Sequence, residues 1–196
     1  HAKAMCIRNW DTNYDGELSY DEAAAVTEFR VYYELKKDLY AFPEFKYFIG
    51  VTEIYSNCFE DCTLLSKIEL PKSIVTIGEM AFRDCSSLKR IVLPEGLKTI
   101  GRYAFWNCGL GEVVLPNSLT IMPDNLFHGC SKLTSLTIPE NITQIGSMIF
   151  GEYVDRIIDI YCKPTTPPAI YYSTNTSHSA FSTSFRIYVP RASYEA

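Results

Sequence analysis

The sequence predicts a repeat solenoid of mixed α/β character: a stack of about 23-residue units with short parallel strands and irregular or short helical arcs. Three observations predict it. Phenylalanine recurs at Phe59, Phe82, Phe105, Phe127 and Phe150, spaced by 23, 23, 22 and 23 residues. Cysteine recurs at Cys62, Cys85, Cys108 and Cys130, spaced by 23, 23 and 22. Proline keeps the same period at Pro71, Pro94, Pro116 and Pro139. Unrelated residue types that share one period through four units report a stacked repeat.

Aligned, the clearest units read I-G-x-x-A-F-x-x-C-x-x-L-x-x-I-x-L-P-x-x-[IL]. Ile68-x-Leu70, Ile91-x-Leu93, Val113-x-Leu115 and Leu136-x-Ile138 alternate as short strands with one buried face. The proline after each strand ends it, because it has no N–H to donate. A second isoleucine series, Ile54, Ile77, Ile100, Ile121 and Ile145, is spaced less evenly, by 23, 23, 21 and 24. The stretch from Gly78 or Gly101 to the cysteine suits one helical turn or an irregular arc. The third unit is one residue short, with Gly111 displaced from the leucine slot. Weaker copies extend the stack: Phe45-x-Tyr47 and, earlier still, Phe29-x-Val31 before it, Ile158-x-Ile160 and Ile187-x-Val189 after it. Residues 163–179 read as a Pro/Ser/Thr-rich insertion, and Ala180-Phe181 precedes the closing strand.

Composition narrows the function. The chain has 196 residues, 47% hydrophobic and 21% charged, enough for a sizeable core and too apolar for disorder. Eighteen basic and 23 acidic residues leave −5 without a basic block, which argues against nucleic acid. No apolar run reaches the roughly 18 residues of a membrane span. No signal peptide opens the sequence, as in a cytosolic chain or, the favoured reading, a mature or truncated one.

The cysteines form a ladder with no C-x-x-C, so zinc is disfavoured. Equivalent slots point alike rather than toward each other, which disfavours disulfides. They read as buried thiols, with Cys58 in the Ala81/Ala104 slot and only Cys6 and Cys162 outside the pattern. On that reading Cys85→Ser puts a hydroxyl where no partner is expected. The histidines, His1, His128 and His178, read as ordinary surface residues with no base placed beside a nucleophile.

Residues 11–22 read D-T-N-Y-D-G-E-L-S-Y-D-E. Asp11, Asn13 and Asp15 fill positions 1, 3 and 5 of an EF-hand loop, and Gly16 supplies its sharp turn. Glu17 offers a backbone carbonyl, Ser19 a water-bridged site, and Glu22 a bidentate carboxylate. Hard Ca²⁺ requires such an oxygen-only shell. Ser19-x-x-Glu22 is also a helix capping box, which needs no metal. Dockerins carry similar loops in pairs; one is seen here. Calcium binding at Asp11, Asn13, Asp15, Glu17 and Glu22 is the expectation, in a structural role. The division expected is a calcium-binding cap over residues 1–26 and a solenoid over 27–196.

The A-F-x-x-C-x-x-L segment followed by I-x-L-P resembles the BspA-like, Treponema-type leucine-rich repeats of bacterial surface proteins. The match covers residues 44–162 and extends to the closing IYVP strand; the fifth unit departs, with Tyr153 in the cysteine slot. The family often carries a calcium-type segment ahead of its repeats. The resemblance implies a secreted or cell-surface, non-enzymatic binding protein, monomeric, that holds a protein or glycan. The alternative is a structural or accessory domain of a larger secreted protein or enzyme. Outward residues between the buried pairs, Lys46, Glu69, Val92, Val114, Thr137 and Asp159, form the expected partner row. Trp106 stands where sister units have Glu60, Arg83 and His128, and is the competing anchor, expected to be exposed.

Overall fold

Backbone hydrogen bonds running along the stack set the architecture, which is a parallel-strand solenoid of about five turns with few helices. The computed structural model describes residues 2–151, 158–166, 168–170 and 185–189. His1, Tyr153, His178 and the Ala180-Phe181 pair lie outside the described residues.

Three short helices lead in: α1 (Ala2–Trp10), α2 (Tyr20–Ala25) and α3 (Tyr33–Lys36). Then come β1 (Ala41–Phe42), a 3-10 turn over Pro43–Tyr47, β2 (Glu53–Ile54), β3 (Lys67–Ile68), β4 (Thr76–Ile77) and β5 (Thr99–Ile100). The later strands are β6 (Glu112–Val114), β7 (Ile121–Met122), β8 (Ser135–Ile138), β9 (Gln144–Ile145), β10 (Ile158–Cys162), β11 (Ala169–Ile170) and β12 (Phe185–Tyr188). All pair in parallel. One row runs β1–β3 and then β6–β8–β10–β12; the other runs β2–β4–β5 and then β7–β9–β11.

Between strands, the arcs are the regular part. The amides of Asn57, Phe59 and Asp61 donate to the carbonyls of Glu79, Ala81 and Arg83 one turn on, at 2.8–3.0 Å. Met80, Phe82 and Asp84 repeat this toward Arg102, Ala104 and Trp106, and Tyr103, Phe105 and Asn107 toward the next turn. The geometry requires two left-handed residues per arc: Asn57 and Asp61, Met80 and Asp84, Tyr103 and Asn107, then Asn125 and Gly129. Asn, Asp and Gly tolerate that region best and fill six of these eight positions; Met80 and Tyr103 fill the other two. Turns approach closely at Gly78 and Gly101, where an added Cβ would lie 2.4 Å from a backbone nitrogen of the adjacent segment.

Inside the arcs the phenylalanines stack. Phe59, Phe82, Phe105 and Phe127 lie with centroids 5.0, 5.4 and 5.8 Å apart and planes within 13°. Phe29 continues the column below Phe59 at 5.9 Å, and Trp10 at the end of α1 stacks on Phe29 at 5.3 Å. The amino-terminal helix therefore closes the aromatic column, and a single apolar core runs from Ala2 to Ile160. Each aromatic pair adds about 0.5–1.5 kcal/mol beyond its buried area.

Several expectations are corrected. Phe45 and Tyr47 belong to the 3-10 turn, which Pro43 opens; the strand of that unit is β1, where Phe42 rather than Phe45 aligns with Ile68. Phe29 and Val31 are buried but form no strand. Ile91, Val92 and Leu93 keep the buried–exposed–buried alternation without a ladder, so the row breaks there. Met122, not Ile121, fills the fourth slot of the second series, paired with Ile145; Ile121 is exposed. This restores even spacing. In the short third unit Leu110 fills the leucine slot and is fully buried. Ile160 rather than Ile158 aligns with Leu136, which brings Cys162 into the Ile138 register, half-buried.

All seven cysteines are free, and all but Cys162 are buried. Burial pushes the Cys58 thiol up to about 11 and that of Cys62 higher still than its ordinary value. The thiols have partners, contrary to expectation. Cys85 Sγ donates to the Phe59 carbonyl at 3.1 Å, Cys108 to Phe82 at 3.0 Å and Cys130 to Phe105 at 3.0 Å. The same carbonyls accept the cysteine amide of their own turn: Cys62 N–H reaches Phe59 at 3.2 Å. Cys85→Ala should therefore cost about 1–2 kcal/mol, while Cys85→Ser keeps a donor for Phe59 and costs no more. Urea unfolding of both variants checks this; a serine variant far weaker than the alanine one contradicts it.

Candidate calcium loop and interaction surface

The Asp11–Glu22 loop lies between α1 and α2, and its side chains fold it through local hydrogen bonds. Asp11 Oδ1 accepts the Tyr14 amide at 2.7 Å and Oδ2 the Gly16 amide at 2.9 Å. Asn13 Oδ1 accepts the Asp15 amide, and Asp15 Oδ1 the Glu17 amide. Gly16 takes φ +84°, a left-handed turn that suits glycine. Glu22 closes the loop: Oε1 accepts the Thr12 amide at 2.7 Å and hydroxyl at 2.8 Å, and Oε2 accepts from Ser19. Ser19 and Glu22 form the reciprocal capping box of α2. The donor set is all oxygen, as calcium requires. Among the described residues, however, no group of three or more acidic, His or Cys side chains converges in a metal-holding arrangement. The structure shows the cap.

The bonds from the Ser19 amide, then the Thr12 hydroxyl and amide, hold the Glu22 carboxyl down to about 2. A depressed carboxylate stabilises the fold above its unfolded value of 4.5, and that contribution is lost as pH falls toward 2. Acid titration should thus loosen the loop and α2 between about pH 4.5 and 2, and Glu22→Gln should abolish that step. Hydrogen exchange at the Thr12 and Ser19 amides reads it; protection unchanged down to pH 2 contradicts it.

The partner row divides in two. Val114 aligns with Thr137, Tyr161 and Tyr188 in successive strands. Asp159 aligns instead with Ser135 and Arg186, one pleat over, so it does not share a row with Val114 and Thr137. Its carboxylate pairs with Arg186 through two bonds of 2.7 and 3.1 Å. Tyr161 and Tyr188 stack at 4.8 Å and 13°, both partly exposed. Reading the last strand from Ile158 rather than Ile160 hid them; the I-x-C register carries the signal. Val92 and Val114 are 67% and 65% exposed, but Val92 lies where the ladder is broken, so no register joins the two. Lys46 lies in the 3-10 turn, not a strand, yet its ammonium reaches Glu69 at 2.8 Å, and Lys67 meets the same carboxylate at 3.0 Å. These bonds pull Glu69 below the usual carboxylate range.

Trp106 is half-buried rather than exposed. The Arg83 guanidinium sits over its ring at 5.0 Å, and Tyr103 and His128 rings lie 5.1 Å away on the same arc edge. His128 is likewise half-buried, not solvent-facing. Arg83 in turn bridges Glu60 and Asp84. Trp106 is packing for its neighbouring turns.

Parallel strands, glycine-tight arcs and a phenylalanine column define a leucine-rich-repeat solenoid. The profile described as BspA type leucine rich repeat region matches residues 52–184 with six copies, and the chain belongs to that family. A Treponema pallidum leucine-rich repeat protein is similar at 33% identity and TM-score 0.53, over 57% of this chain and 52% of that one. The pneumococcal vaccine antigen PcpA is similar at 28% identity and TM-score 0.62, over 80% of this chain and 37% of that one. The chain thus spans about half or less of the length of these solved proteins. No curated protein sequence matches it. No described helix is long and apolar enough to cross a membrane.

Proposed function

We propose that the chain is a non-enzymatic, secreted or cell-surface interaction module, adhesin-like, that holds a protein partner on its strand face. The observation that carries this reading is the outward row Val114, Thr137, Tyr161 and Tyr188, flanked by the Asp159–Arg186 pair, with Val92 exposed in an earlier turn. An apolar centre with a polar rim suits a protein better than a polyanion. Similarity to a vaccine antigen supports placement outside the cell. The buried cysteines, with thiols raised by desolvation, are poor nucleophiles, which supports a binding role. The short span relative to the solved proteins favours a second reading, an accessory domain of a longer secreted chain.

Once a partner is in hand, Val92→Glu with Val114→Glu should weaken binding by about tenfold or more, while Trp106→Ala leaves it unchanged. Surface plasmon resonance decides between them; the reverse pattern moves the site to the arc edge. The reading includes one structural Ca²⁺ held by Asp11, Asn13, Asp15, the Glu17 carbonyl and Glu22. Calorimetry on chelator-treated protein should show one site with affinity somewhere between about 10⁻⁷ and 10⁻³ M, lost in Glu22→Gln. No uptake at about millimolar calcium contradicts it.

A further inference from the structure

Exposed aromatic residues concentrate at the amino end: Tyr14, Tyr20, Tyr32, Tyr33, Tyr40 and Tyr47 are all open to solvent. Beside them a groove of about 520 Å³ opens between α1 and the entry to α3. It is lined by the apolar Met5 and Leu35 and by Arg8, Asn9, Tyr32 and Glu34. Tyr32 is 57% exposed, so the ring is available to the groove.

The polar groups are uncommitted. Arg8 and Glu34 line one groove, yet neither makes an ion pair with any described residue. Asn9 spends its Nδ2 on the Met5 carbonyl at 2.9 Å, which leaves Oδ1 as an acceptor. The lining thus supplies a pure donor, a pure acceptor, an amide oxygen and a flat ring. A purely apolar ligand would desolvate Arg8 and Glu34 without pairing them, at a cost. A polyanion would meet Glu34 and a chain of net charge −5. A neutral sugar satisfies all four: its C–H face packs on an aromatic ring, and its hydroxyls both donate and accept.

We infer that this groove binds a short neutral oligosaccharide, with one sugar ring on Tyr32 and its hydroxyls on Arg8, Asn9 and Glu34. The volume lies within the range of small-ligand sites and admits two or three sugar units. It is a second site, separate from the strand face, so either can fail without the other.

Saturation-transfer NMR on the full chain tests it, using neutral trisaccharides of glucose, mannose, galactose and N-acetylglucosamine at about 5 mM, a concentration suited to millimolar affinities. At least one should receive transfer. Tyr32→Ala should weaken it about fivefold or more, Tyr32→Phe should retain it, and Glu34→Gln should weaken it. The Val92→Glu/Val114→Glu variant should bind as the parent does. Absence of transfer to all four overturns the inference, as does transfer unchanged by Tyr32→Ala and Glu34→Gln. Tighter binding of a sulfated trisaccharide than of its neutral parent overturns the neutral ligand.

Discussion

The phenylalanine carbonyl of each turn is the hub on which the stack depends. At Phe59, Phe82 and Phe105 it accepts the cysteine amide of its own turn and the cysteine thiol of the next, while the ring stacks on the ring one turn away. A backbone carbonyl has two lone pairs, and both are used in a buried site where an unused one is costly. A period of 22 or 23 residues keeps ring and thiol on these partners. Where the chain does shorten, between Cys108 and Leu110, Gly109 absorbs the loss by letting the backbone pass Ser86 at a distance no Cβ allows.

Strands contribute less than arcs. Most are two residues long, and the first row is broken at Ile91–Leu93, whereas the arc bonds run without a gap from Asn57 to Gly129. The exposed face of the later strands rests on a continuous ladder, β6–β8–β10–β12, laid over the phenylalanine column. That lets apolar residues such as Val114 stand in the open without being needed for stability, which leaves them available for recognition.

The period was legible because Phe, Cys and Pro each have one role per turn and seldom occur elsewhere within residues 52–150. Phe59 through Phe127 and Cys62 through Cys130 were placed in the core from spacing alone. Register was less legible where two apolar residues compete for a slot. Ile121 precedes Met122, and Ile158 precedes Ile160, and periodicity favours neither without the neighbouring turn. The second error hid Tyr161, Tyr188 and the Asp159–Arg186 pair. Thiol donation was invisible for another reason: a cysteine reads as a small hydrophobe, and its acceptor lies 25 or 26 residues away. The groove beside α1 arises only once Trp10 seats the helix on Phe29, a contact across 19 residues with no local motif.

Native-state hydrogen exchange tests the central claim, that the arcs rather than the strands hold the solenoid together. The amides of Phe59, Phe82 and Phe105 should exchange together, at rates set by global unfolding, and more slowly than those of β3 and β5. Slower exchange in the strands than at these phenylalanines would contradict the account.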